Sequence, residues 1–149
     1  RVDVRPSRTS RHNQHAAQEA LAPRLAADGI LCRRREALGG LRHSRKDSVN
    51  GAWRNASFRG YADYMQTPEF AAGIAELMAF AAGHPTAIMC AEAVPWRCHR
   101  SLVADALSVR GVPAVEILSE SSYRMHELTP FAQVEGLQIT YPPEQAALL

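Results

Sequence analysis

The spacing of apolar and polar positions along the chain predicts strands that alternate with helices. Apolar runs with the length of buried strands cover residues 2–4, 86–90 and 114–118. Apolar residues recur at helical spacing over residues 14–28, 67–83 and 99–110, and each of these segments ends at or just before a glycine. Because strands and helices alternate at these lengths, the pattern indicates βα units in a parallel sheet.

The remaining segments carry weaker signals. Pro23 predicts a kink or break in the first helix, and residues 30–32 predict a short strand. Residues 38–60 lack a sustained period, residues 57–65 predict a short helix, and residues 137–141 predict an edge strand. We therefore expect one α/β domain over residues 1–149, with a mostly parallel, Rossmann-like sheet and flanking helices.

Composition is that of an ordinary soluble globular protein, with 46% apolar and 21% charged residues among 149. No apolar run approaches the roughly 20 residues that span a bilayer, and the Arg-rich start lacks the apolar core of a signal peptide. The three cysteines are an odd number, which rules out a complete intramolecular disulfide framework. A reducing cytoplasm is the expected location. The sequence does not indicate an oligomeric state.

Charge is distributed unevenly although the net charge is only +2. Residues 1–60 hold 13 Lys and Arg against 5 Asp and Glu, whereas residues 61–149 hold 4 against 10. The asymmetry is typical of an anion-binding face, or the early Arg residues pair with the later carboxylates. A nucleic-acid surface is disfavoured because aromatic residues do not interleave with the basic ones.

The segment from residue 88 to residue 100 concentrates the residue types of a reactive site. Cys90 ends a predicted strand, and Cys98 or His99 opens the next helix. The free N–H groups and positive pole of a helix N-terminus favour an anion and lower the pKa of a thiol placed there. We expect a reactive thiol at one of the two cysteines, with Glu92 and His99 as acid–base groups. The expected catalytic residues are therefore Cys90, Glu92, Cys98 and His99.

Other interpretations of the two cysteines stay open at this stage. Either one is equally well explained as a small packed residue of the strand end or the first helical turn. Their spacing matches no common zinc pattern, so neither a metal nor a cofactor is expected. A disulfide between Cys90 and Cys98 fits the geometry but is disfavoured in a cytosolic protein.

A second group of residues is expected to hold the ligand at the same edge of the sheet. Guanidinium groups bind phosphate or carboxylate bidentately, so a rim with several arginines indicates a small anionic ligand. The predicted ligand-binding residues are Asp3, Arg5, Arg11, Asn13, Arg59, Tyr64, Arg97 and Arg100.

Several short motifs together resemble the DUF488 family, whose function is uncharacterised. They are Asp3-Val4-Arg5, Ser10-Arg11-His12-Asn13, Leu38-Gly39-Gly40, Phe58-Arg59-Gly60-Tyr61, Cys90-Ala91-Glu92 and Cys98-His99-Arg100. Family members usually begin with a further strand and a Gly-His-Ser segment, so the resemblance implies that this chain is N-terminally truncated. The strand–Cys–loop–Arg–helix arrangement is also distantly similar to rhodanese and cysteine-phosphatase domains.

The sequence thus predicts a cytoplasmic thiol enzyme that acts on a small anionic substrate resembling a phosphate or nucleotide. Two alternatives belong to other classes. The same pocket could bind an anionic ligand without turnover, or the basic N-terminal half could bind nucleic acid.

Overall fold

The computed structural model describes residues 2–5, 18–90, 92 and 94–144, and for residues 2–5, 18, 19 and 95 the description is confined to the backbone. The helices are α1 (Gln18–Ala27), α2 (Ala56–Tyr64), α3 (Pro68–Ala81) and α4 (Arg100–Val109). The strands are β1 (Val2–Arg5), β2 (Cys32–Arg34), β3 (Ala87–Cys90), β4 (Val115–Ser119), β5 (Ser122–Met125), β6 (Gln133–Glu135) and β7 (Gln138–Thr140). Short 3-10 turns cover Glu36–Leu38 and Pro95–Arg97.

Three strands form a parallel sheet in the order β2-β1-β3. The register places Asp3 beside Ile88 and Arg5 beside Cys90. On the other side of β1, Asp3 lies beside Arg33. Since parallel strands end at the same edge of a sheet, the ends of β1 and β3 meet, and this edge leads into the loop that carries the predicted site.

The prediction of a mostly parallel, Rossmann-like sheet was wrong. Four of the seven described strands lie in two antiparallel pairs, β4 with β5 and β6 with β7. The described part of β4 does not extend the parallel sheet. A cavity of about 520 Å³ lies between β3 and β4. Its lining includes Leu77, Ile88, Leu107 and Ile117. The chain after α4 folds back on itself in hairpins, so the fold is a mixed α/β arrangement with a small parallel sheet.

Element boundaries follow the capping chemistry where that chemistry is strong. The predicted start of α3 is confirmed: the Thr67 side chain accepts a hydrogen bond from the Phe70 N–H, and Pro68 occupies the first helical position. Of the kink or break predicted at Pro23, the break was wrong, because α1 runs through that residue, and the kink stays a prediction. The predicted strand at residues 30–32 is shifted toward the C-terminus and becomes β2.

The core gathers apolar side chains from most of the described chain. Its most completely buried large members include Tyr61, Phe70, Ile74, Leu102 and Tyr141. Residues 38–60, predicted to be irregular, are fixed to this core through Trp53, whose ring stacks on that of Phe58 at 4.9 Å and meets that of Tyr141 edge-on at 5.5 Å. No helix in the described ranges is long and apolar enough to cross a membrane.

Candidate thiol site

Strand β3 and helix α4 bring the two predicted site cysteines into contact. Cys90 is the last residue of β3, and Cys98 lies two residues before the first residue of α4. Their Sγ atoms are 2.7 Å apart, and both cysteines are free thiols. Cys98 is only 3% exposed, whereas Cys90 is half-buried. The fold thus makes one dithiol site from residues that are eight positions apart.

Cys98 is the better stabilised of the two sulfur atoms. Its Sγ accepts hydrogen bonds from the Arg100 backbone N–H at 3.5 Å and from Arg100 Nε at 3.4 Å. His99 Nδ1 lies 3.5 Å from the same sulfur. The Cys98 sulfur therefore lies at the N-terminus of α4, next to the first helical N–H, where the N–H groups and the helix dipole favour a negative charge.

These contacts separate the acidities of the two thiols. The hydrogen bond with Cys90, together with His99 and the Arg100 N–H, lowers the pKa of Cys98. The same contact with Cys98, together with burial, raises the pKa of Cys90. The donors around Cys98 therefore favour a negative charge at that sulfur over one at Cys90.

The loop between the cysteines is held through backbone atoms of Glu92. Its N–H donates to Cys90 Sγ at 3.3 Å, and its carbonyl oxygen accepts a hydrogen bond from Arg100 Nη2. The Glu92 residue itself is exposed. Its described contacts are thus made by the backbone, and an acid–base role for its carboxylate stays a prediction.

The His99 imidazole packs against Gly40 and Tyr61, and the sequence interpretation assigned neither of these residues to the site. A Cβ atom on Gly40 would lie 2.8 Å from His99 Nδ1, so a glycine is needed for the imidazole to occupy this place. The Tyr61 ring lies 5.0 Å from the imidazole, and its hydroxyl donates to the Leu38 carbonyl oxygen at 2.9 Å. Gly40 of the Leu38-Gly39-Gly40 motif and the Tyr61 ring therefore pack against His99.

A Gly40→Ala variant tests this positioning. The added methyl group pushes the imidazole away from Cys98, so one hydrogen bond to the thiolate is lost. We expect the pH at which Cys98 reaches half of its maximal alkylation rate to rise by about one to two units. Gly51→Ala is the matched control, since the nearest atoms to its new methyl group are side-chain atoms of Pro143 at 3.3 Å or more. Equal pH profiles for the two variants would contradict a role for Gly40.

The predicted ligand-binding residues are placed unequally by the structure. Arg100 contacts the thiol pair directly, and Arg97 is exposed in the turn before α4. Asp3 and Arg5 are placed by backbone register alone, with Arg5 next to Cys90 and Asp3 two positions further from the site. Arg11 and Asn13 lie outside the described residues.

The two predicted ligand residues of α2 differ in their surroundings. Arg59 is half-buried, with its backbone N–H bonded to the Asn55 carbonyl oxygen. The Tyr64 hydroxyl donates to the Ala37 carbonyl oxygen at 2.6 Å, and the Arg42 guanidinium lies 3.9 Å from the centre of its ring. Tyr64 is therefore engaged in holding residues 36–42 against α2.

A buried polar cluster outside the site was missed by the sequence interpretation. Asp105 on α4 is fully buried and accepts hydrogen bonds from His126, Thr129 and Tyr141. An aspartate amid apolar positions of a helix was the available signal, but its partners are 21 to 36 residues away in sequence.

Within the described ranges, no group of three or more His, Cys, Asp or Glu residues is arranged to hold a metal ion.

Comparison with known proteins supplies a family. Residues 1–107 match the model of the family described as "Domain of unknown function DUF488". The match includes the cysteine segment and most of α4, and it ends before β4. No curated protein and no solved structure matches the chain. Since the matched residues are well over half of the sequence, the chain belongs to the DUF488 family.

Proposed function

We propose that this protein is a thiol-dependent enzyme that acts on a small anionic substrate, with the Cys98 thiolate as its nucleophile. The observation that supports this proposal is the convergence of four groups on Cys98 Sγ: the Cys90 thiol, His99 Nδ1, and two N–H groups of Arg100. A thiolate is the reactive form of cysteine, and such an arrangement keeps it populated at neutral pH.

Each neighbour has a task in this proposal. Cys90 donates its proton toward Cys98 in the resting state and can deliver it to a leaving group, since the two sulfur atoms are 2.7 Å apart. Arg100 and the N-terminus of α4 hold the negative charge, whether it is on the thiolate or on a bound anion. His99 keeps the thiolate in place and is available as a second proton carrier.

The low exposure of Cys98 limits the size of the substrate group that can reach its sulfur. With 3% of the residue exposed, the sulfur is reachable by a narrow electrophilic group and not by a broad protein surface. The exposed Arg97 supplies a cationic group for an anionic part of the substrate. These features favour a small molecule, in a reducing compartment such as the cytoplasm, where the thiols stay free.

The first test is residue-resolved alkylation of the reduced protein with iodoacetamide over a range of pH. We expect the Cys98 rate constant to stay nearly constant from neutral pH down to about pH 5, because the thiolate persists there. A reference thiol such as N-acetylcysteine, with an ordinary pKa near about 8.5, slows about tenfold per unit over the same range. Mass spectrometry of the peptides assigns each adduct to Cys32, Cys90 or Cys98.

Two variants make the test specific. Cys90→Ser keeps a hydrogen-bond donor beside Cys98 and should preserve most of the low-pH reactivity, whereas Arg100→Met should move the Cys98 profile toward that of the reference. A wild-type Cys98 that follows the reference profile would rule out the proposed nucleophile. Folding of each variant is checked by circular dichroism.

A binding module without turnover is the second candidate, because Arg100 and the α4 N-terminus form an anion site that does not need a thiol. Calorimetric titration with inorganic phosphate separates the two functions. Retention of phosphate affinity in Cys98→Ser, together with a wild-type thiol of ordinary reactivity, would favour binding alone. Protection of a rapidly reacting Cys98 by phosphate would favour the enzyme.

A further inference from the structure

The contact between the two thiols implies chemistry that a single nucleophile does not need. We propose that Cys90 and Cys98 form a two-electron dithiol/disulfide couple that reduces small hydroperoxides. A nucleophilic thiolate requires one cysteine, yet the fold brings a second free thiol from the end of β3 to 2.7 Å from Cys98 Sγ. This inference extends the proposed function, since it rests on the same thiolate and adds a role for its partner.

The proposed reaction has two steps, and atoms and electrons balance in both. In the first step Cys98 Sγ attacks one peroxide oxygen, the O–O bond breaks, and the leaving alkoxide or hydroxide takes the Cys90 proton to become an alcohol or water. Cys98 is then a sulfenic acid and Cys90 a thiolate. In the second step Cys90 Sγ attacks Cys98 Sγ, the S–S bond forms, and hydroxide leaves. Sulfur loses two electrons and the peroxide gains them.

Three features of the site fit a hydroperoxide better than a larger oxidant. Cys98 is 3% exposed, so the oxidant must reach it through a narrow approach. Arg100 Nε lies 3.4 Å from Cys98 Sγ, where an N–H group can stabilise the charge that develops on the leaving oxygen. Resolution needs little movement, because Cys90 is already in contact with the sulfur that becomes oxidised.

Cys32 provides an internal comparison. It lies on β2, which pairs with the other edge of β1, and it belongs to neither the thiol pair nor the α4 N-terminus. The proposal therefore assigns oxidation to two of the three cysteines. It requires a dithiol reductant, such as dithiothreitol in the assay, to return the disulfide to two thiols.

The experiment exposes the reduced protein to hydrogen peroxide at pH ~7 and counts free thiols with time. We expect the count to fall from three to one, with an intramolecular Cys90–Cys98 disulfide found by peptide mapping. Complete ionisation alone is a gain of roughly 30-fold over N-acetylcysteine at this pH, but a thiolate of low pKa is intrinsically less nucleophilic. The rate should still exceed that of N-acetylcysteine, because Arg100 and the Cys90 proton stabilise the leaving oxygen. Hydroxyethyl disulfide, a bulkier oxidant, should give the same disulfide. For each oxidant the rate of the protein is divided by that of N-acetylcysteine, and this ratio should be smaller with hydroxyethyl disulfide than with hydrogen peroxide.

Variants distinguish the steps. In Cys90→Ser, oxidation should stop at a Cys98 sulfenic acid, which dimedone traps as a stable adduct. In Cys98→Ser, Cys90 should react no faster than the reference thiol. Should that variant fail to fold, the wild-type peptide map and rate still decide the question.

Several outcomes would overturn the inference: three thiols that persist at the reference rate, a disulfide that includes Cys32, or a faster relative reaction with the bulky disulfide. If alkylation shows a thiolate at Cys98 while peroxide oxidation stays at the reference rate, the redox inference fails and the proposed nucleophile stands. If Cys98 shows ordinary alkylation and ordinary oxidation, both fail.

Discussion

Replacement of Asp105 by alanine is expected to lower the unfolding free energy by about 3 to 5 kcal/mol, the largest loss among single changes in the buried polar cluster. The Asp105 carboxylate is fully buried and accepts four hydrogen bonds, from His126 Nε2 at 2.7 Å, the Thr129 N–H at 3.1 Å, Thr129 Oγ1 at 2.7 Å and the Tyr141 hydroxyl at 2.8 Å. In the alanine variant these donors stay buried without their acceptor. Urea unfolding followed by circular dichroism measures the loss.

Two variants serve as controls for Asp105→Ala. Asp105→Asn keeps the volume and one acceptor oxygen, so its loss should be smaller. Asp47→Ala removes a carboxylate that pairs with Arg45 on the surface, and its unfolding midpoint should stay near that of the wild type. Equal midpoints for Asp105→Ala and Asp47→Ala would contradict the importance of the buried cluster.

The same cluster gives the stability a dependence on pH. Hydrogen bonds to Asp105 and to Glu116 raise the pKa of His126 above its ordinary value of 6.5. The folded protein therefore retains a proton that the unfolded chain releases. This stabilisation is complete below pH 6.5 and is lost as the pH rises through the folded-state pKa, and Asp105→Asn should weaken that dependence.

How much of the fold could be predicted depended on whether the signal was local. The Thr67-Pro68 start of α3 and the strand that ends at Cys90 follow from neighbouring residues, and both were predicted. The β4–β5 and β6–β7 hairpins were not, although Gly136 has the positive φ of 62° that a tight turn favours. β4 and β7 coincide with the strands expected at residues 114–118 and 137–141. Their partners β5 and β6 are exposed and give no comparable apolar pattern, so the antiparallel pairing did not follow from the sequence.

In the candidate site, too, local signals were predicted and contacts between distant residues were not. The family signature and the helix N-terminus indicated Cys90, Cys98 and Arg100, and the structure brings these three together. The sequence could not decide which of the two thiols has the lower pKa, because that depends on hydrogen bonds such as those from Arg100 and on the contact between the thiols. It also gave no role to Gly40, since the need for a small residue arises from an imidazole 59 positions away.

A Gly60→Ala variant is expected to show the second large effect, on stability and on the thiol site together. A methyl group at Gly60 would lie 2.2 Å from the Arg42 carbonyl oxygen and 2.8 Å from the carbonyl carbon of His43. These are backbone atoms, so either α2 or residues 42–43 must move. We expect a net loss of roughly 3 kcal/mol in unfolding free energy, even after the gain of about 1 kcal/mol from replacing a helical glycine.

Gly73→Ala is the matched control for Gly60→Ala, because it also places alanine inside a helix. Its methyl group would lie 3.0 Å from Ala37 Cβ and 3.1 Å from Leu38 Cδ2, which is less severe than the backbone overlap at Gly60, so the loss of unfolding free energy should be clearly smaller. Residues 42–43 follow Gly40, against which His99 packs, so folded Gly60→Ala should lose low-pH reactivity at Cys98, while Gly51→Ala, whose methyl group meets only Pro143, retains it. A Gly60→Ala protein with wild-type stability and an unchanged alkylation profile would show that the close contact of α2 with residues 42–43 does not support the thiol site.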